Sequence, residues 1–132
     1  MYLRFTTQFI NPYNEPETGI FMALKFVRDD HPTATDEDVS KLKLLSGWFD
    51  QHLDKPDRFS NASNKNPANI SLSWFKDSAK DHIQKVQELI KILERYDLVV
   101  ERFSSKSPGY IVYEDEYQVS AIPFKADRNK VI

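Results

Sequence analysis

The chain has 132 residues, 40% hydrophobic and 29% charged, with 18 basic and 20 acidic side chains for a net charge of −2. That length fits one domain with a self-sufficient core, and the slight acidic excess argues against a dedicated nucleic-acid binder. The absence of cysteine excludes a disulfide, a thiolate metal site and a cysteine nucleophile.

Residues 2–10 read as a strand, because Leu3, Phe5, Thr7 and Phe9 alternate with Tyr2, Arg4, Thr6, Gln8 and Ile10. Asn11-Pro12-Tyr13-Asn14 is turn chemistry. A helix is expected over 15–29, with Asn14 as cap, Glu17 in capping-box spacing and Pro16 in the first turn. Its centre, Ile20-Phe21-Met22-Ala23-Leu24-Lys25-Phe26-Val27, is apolar nearly all round, which predicts burial on more than one side.

After the break at Asp29-Asp30-His31-Pro32, Thr35 is expected to cap a second helix. Asp36, Glu37 and Asp38 then lie at the positive end of its dipole. Val39, Leu42, Leu45, Phe49 and Leu53 form its stripe, widened by Leu44 and Trp48. Residues 54–69 read as a polar loop, longer than most connections in a compact domain. Ile70-Ser71-Leu72-Ser73-Trp74 alternates as a short strand. Asp77 or Ser78 is expected to cap the longest helix, 78–97, whose apolar face is Ala79, Ile83, Val86, Ile90 and Leu93.

Residues 98–103 read as a strand and Ser107-Pro108-Gly109 as a turn. Residues 110–113 and 117–122 flank Glu114-Asp115-Glu116 as a hairpin. The tail 125–132 is polar and expected to fray. The expectation is one α+β domain over 1–132 in the order β-α-α-β-α-β-β-β. Three helices would pack on a mainly antiparallel sheet of about five strands, closed by the C-terminal hairpin.

Two segments carry chemistry. Trp74-Phe75-Lys76-Asp77-Ser78-Ala79-Lys80 joins a strand to a helix start. There, free backbone N–H groups, Lys76, Ser78 and Lys80 would hold an anion and Trp74 or Phe75 would stack on a ring or base. The tip Tyr113-Glu114-Asp115-Glu116-Tyr117 offers Glu114 and Glu116 as acid or base, with Tyr113 and Tyr117 as further ligand contacts. For each segment the plainer reading is packing: core aromatics before a capped helix, and a solvated turn between cross-strand tyrosines. His52, near Asp50, Asp54 and Asp57, reads as a helix-end histidine rather than a metal ligand. His82 reads as a boundary residue.

The stretch from Ile70-Ser71-Leu72-Ser73-Trp74-Phe75-Lys76 to Ser107-Pro108-Gly109-Tyr110-Ile111-Val112-Tyr113-Glu114-Asp115-Glu116-Tyr117-Gln118-Val119 resembles a small bacterial family with no assigned function. The resemblance implies a bacterial origin and no particular reaction.

No glycine-rich phosphate loop, nucleophile elbow or zinc-binding helix motif is present, and no metal or cofactor is expected. No apolar run reaches the roughly 20 residues of a membrane span, and Met1–Thr7 lacks the pattern of a signal peptide. The cytoplasm is therefore the expected compartment. The leading expectation is a non-catalytic domain acting through a protein partner or as a homodimer. The alternative is an enzyme or binding protein for a small anionic ligand.

Overall fold

The first strand ends where Thr7 turns its side chain onto the backbone. Its hydroxyl donates to the Val99 carbonyl at 2.6 Å, and its own carbonyl accepts from Gly19 N at 2.9 Å. The single strand expected over 2–10 is therefore two, β1 (Tyr2–Thr6) and β2 (Gln8–Ile10). The computed structural model describes residues 1–55 and 71–127. Residues 56–69 of the expected 54–69 loop, Ile70 and the end of the tail lie outside them.

The remaining elements are β3 (Pro16–Thr18), α1 (Ile20–Asp29), α2 (Asp36–His52), β4 (Leu72–Lys76), α3 (Lys80–Glu94), β5 (Glu101–Ser105), β6 (Tyr110–Glu114) and β7 (Gln118–Ile122). A 3-10 turn follows at Lys125–Asp127. The α+β class and the expected element order are found, with the short β3 added. One sheet has the order β5-β1-β4-β7-β6; the other pairs β2 with β3. The pairs β1–β4, β4–β7, β6–β7 and β2–β3 are antiparallel.

The first helix starts later than expected. Residues 16–18 pair with β2, and α1 begins after Gly19, whose φ of 118° lies outside the range ordinary residues adopt. Asn14 takes a left-handed φ of 62° in the β2–β3 turn and does not cap the helix. Strand pairing of Glu17 with Phe9 removes the capping-box geometry.

The chain forms two compact units. One comprises Met1–Arg4, Asp54–Lys80 and Phe103–Ile132; the other comprises Phe5–Leu53 and Asp81–Arg102.

In the second unit α1 packs on α2. Phe9 stacks on Phe26, and Phe21 meets Phe49 edge-on, both pairs with centroids 5.0 Å apart. Such pairs add about 0.5–1.5 kcal/mol to their burial. Thr35 caps α2 as its sequence requires: its hydroxyl accepts from Asp38 N at 3.1 Å. The Asp38 carboxylate is buried and doubly held, by Tyr96 Oη at 2.6 Å and Arg95 Nη2 at 3.0 Å.

Helix α3 ends in a Schellman motif, short of the expected residue 97. Leu98 N donates to the Leu93 carbonyl (3.2 Å), Asp97 N donates to the Glu94 carbonyl (3.3 Å), and Asp97 sits at φ 64°. That closure uses Leu98, and strand β5 begins only at Glu101.

In the first unit the buried cluster is Trp74, Val119 and Ala121, with Tyr2 and Phe103 packed against it. The register explains the grouping. Trp74 stands opposite Val119, and Leu72 opposite Ala121, so one face of β4 and β7 is continuously apolar.

Candidate functional site

β4 and the β6–β7 hairpin bring both chemistry-bearing segments together. Phe75 pairs with Gln118, and Lys76 N donates to the Tyr117 carbonyl at 2.8 Å. Lys76 Nζ reaches Glu114 Oε2 at 2.6 Å. Lys76 is half-buried and Glu114 exposed, so the pair is anchored at the lysine end and open to water at the carboxylate.

The turn that follows β4 spends its donors locally. Ala79 N donates to the Lys76 carbonyl (3.0 Å) and Lys80 N to the Ser78 carbonyl (2.9 Å). Asp77 N donates to the Met1 carbonyl (3.2 Å), and its carboxylate stands 3.5 Å from the Met1 ammonium. The expected caps Asp77 and Ser78 thus form a turn, and α3 begins at Lys80. An anion here would meet the exposed Ser78 and Lys80 side chains, but the Asp77, Ala79 and Lys80 backbone donors are already engaged.

The three acids of the hairpin are unlike one another. Asp115 is the hub: it accepts from Tyr113 Oη (2.9 Å), Tyr117 N (2.8 Å), Gln118 N (3.0 Å) and Gln118 Nε2 (3.0 Å). Gln118 Nε2 also donates to the Asp54 carbonyl at 2.6 Å. Burial opposes ionisation of Asp115, but these hydrogen bonds outweigh it and hold the carboxyl below its ordinary range. By charge alone, Asp115 is indistinguishable in sequence from the acids on either side of it. The signal that separates it is the habit of Asp at a turn of accepting from backbone two and three residues on. Tyr113 and Tyr117 are half-buried in this network, whereas Glu116 is exposed.

Trp74 is 2% exposed, and a base or ring could stack on it only if the sheet opened. Its indole N–H is buried with no hydrogen-bond partner among the described residues. Beside it lies a half-open cavity of about 210 Å³, lined by Phe103, Ser105, Ser107, Pro108 and Asp127 among others. Small-molecule sites run to about 300–1,000 Å³, so this one suits a few waters or a fragment. On the adjoining strands Arg4 Nη1 donates to the Ser73 carbonyl at 3.2 Å. Burial pushes the Arg4 guanidinium down to about 10, which leaves it charged at neutral pH.

In the second unit His52 and His82 are structural neighbours of Trp48. The His52 ring stacks on Trp48 with centroids 4.4 Å apart, and its Nδ1 donates to the Trp48 carbonyl at 2.8 Å. Asp57, named beside His52 in the sequence, lies outside the described residues. His82, expected at a boundary, is buried. Its Nε2 donates to the His52 carbonyl at 2.6 Å, which satisfies one of the carbonyls that every helix leaves unpaired at its C-terminus. Among the described residues no three His, Asp or Glu side chains gather as a metal site would require, and no helix is long and apolar enough to cross a membrane.

The edge strand β6 carries exposed Tyr110 and Ile111. Its register shifts at Val112: Ile111 pairs with Ala121, whereas Tyr113 pairs with Ser120. Neighbouring residues of β7 point to opposite faces, so Ile111 and Tyr113, two apart in sequence, also point to opposite faces. No protein-family model, curated protein or solved structure matches the sequence.

Proposed function

We propose that the chain is a protein-interaction domain without catalytic activity. The observation that carries this reading is the exposure of Tyr110 and Ile111, 66% and 45%, one on each face of a sheet edge. Aromatic and aliphatic residues on ordered backbone are the usual anchors of protein interfaces. The partner docks onto these side chains rather than lengthening the sheet. The bulge at Val112 exchanges the faces midway along β6, and an added regular strand cannot match both halves.

Light scattering over a range of concentrations, together with affinity capture from lysate, tests the reading. We expect a concentration-dependent mass or a recovered protein, either of them lost in Ile111→Lys. A strict monomer that retains nothing would overturn it.

A second reading, binding of a small anion, draws on one observation, the meeting of Lys76 with Glu114. An anion would have to displace Glu114 from the lysine, with Lys80 as second cation and Glu114 or Glu116 then free for proton transfer. Calorimetric titration with inorganic phosphate tests it. Heat that disappears in Lys76→Met would favour this reading, and none in the unaltered chain would remove it.

A further inference from the structure

The β2–β3 turn, closed by four hydrogen bonds, holds the most exposed aromatic ring among the described residues. In the β2–β3 turn the Asn11 side chain accepts from Tyr13 N at 2.9 Å and Glu15 N at 3.0 Å. Asn11 N donates to the Glu15 carbonyl at 2.8 Å, and Asn14 N to the Asn11 carbonyl at 2.9 Å. Asn14 takes the left-handed φ of 62° that closes the loop, and Pro12 and Pro16 restrict the backbone on either side. On this frame Tyr13 is 82% exposed and Ile10 is 56% exposed.

Such a turn gains nothing for the core from a large ring at its tip. An aspartate, serine or glycine would satisfy the same backbone. For binding, the arrangement is well suited. Tyrosine has two side-chain torsions and a polar end, and a rigid loop loses little entropy when it docks. The segment 8–18, Gln-Phe-Ile-Asn-Pro-Tyr-Asn-Glu-Pro-Glu-Thr, also has a single sign of charge: Glu15 and Glu17, with no lysine or arginine.

We infer that the Asn11–Glu15 turn is a docking knob, and that its partner is a protein with an apolar pocket for Tyr13 rimmed by basic side chains. This rests on the reading of the chain as a protein-interaction domain and gives that domain a second contact besides the β6 edge. The acidic rim disfavours an anionic lipid surface, which the same ring and isoleucine would otherwise suit.

The test uses a protein isolated by its affinity for the immobilised unaltered chain and then purified. It is titrated with that chain, with Tyr13→Ala and with Glu15→Lys, each at low and high salt. Both variants should keep the thermal midpoint of the parent, since neither side chain is buried. Tyr13→Ala should weaken binding roughly 30-fold or more, as loss of an interface anchor does. Glu15→Lys should weaken it chiefly at low salt, as loss of a rim charge does. If both variants bind as the parent does, the domain still has a partner but the knob is overturned. If no protein is isolated, the interaction reading falls with it. Parallel co-sedimentation with vesicles of phosphatidylcholine and phosphatidylserine should show no binding; Tyr13-dependent binding there would overturn the protein partner in favour of lipid.

Discussion

Lys76 Nζ and Glu114 Oε2 stand 2.6 Å apart across strand β7, one from each neighbour of that strand. The lysine side chain is 25% exposed and the glutamate 50%. A pair this open is screened by water, and its coupling should be about 0–1 kcal/mol. Urea unfolding of Lys76→Met, Glu114→Gln and the double variant gives that coupling directly. It should shrink further in 1 M salt. A coupling well above this range would mark the pair as desolvated and revive a chemical role for it.

Asp115 sets the acid limit of the hairpin. Its carboxyl ionises more easily in the folded chain than in the unfolded one. The unfolded state therefore takes up the proton first as pH falls. The stability it contributes is fully present above the unfolded value, near pH 4, and disappears as pH drops through the lower folded value. Asp115→Asn should cost about 1–3 kcal/mol at neutral pH, the scale of hydrogen bonds to a charged group. It should also flatten the loss of stability between about pH 5 and 3, measured by urea unfolding across that range.

Gly109 admits no side chain. Its φ is 139°, and a Cβ built there would stand 2.0 Å from the Ile122 carbonyl oxygen. Gly109→Ala must distort either the turn or the first pair of the β6–β7 ladder, Tyr110 with Ile122. It should destabilise by at least about 1–3 kcal/mol, read as a lower urea midpoint. Faster amide exchange at Tyr110 and Ile111 should accompany it.

Asp97 is the opposite case. It occupies the left-handed end of α3 at φ 64°, a conformation glycine adopts without strain. Asp97→Gly should stabilise the chain by about 0.5–1 kcal/mol, seen as a higher thermal midpoint.

Local rules explain what was legible beforehand. Thr35 and the three acids after it announce α2. The four-and-three spacing of Val86, Ile90 and Leu93 announces α3, and two β-rich runs about three acids announce the hairpin. Errors fall where a distant segment overrides the local preference. Asn14 and Glu17 have capping-box spacing, but pairing with β2 holds residues 16–18 as a strand. Leu98 and Val99 read as strand until Leu98 closes the helix end and the Val99 carbonyl takes the Thr7 hydroxyl. The adjacency of the 74–80 and 113–118 segments depends on β4–β7 register, which periodicity does not encode. Nor did the sequence separate Asp115, with its four hydrogen bonds, from the exposed Glu114 and Glu116.

The place of β1 inside its sheet also governs the order of assembly. Arg4 bonds to Ser73, 69 residues further along the chain, and β1 lies between β4 and β5 rather than at an edge. During synthesis at about 5–20 residues per second, the first strand waits roughly 4–14 s for β4 to emerge. Throughout that interval its Tyr-Leu-Arg-Phe-Thr backbone is an unpaired ribbon, open to the wrong neighbour. Nascent-chain escort, rather than final stability, is where this topology places its greatest demand.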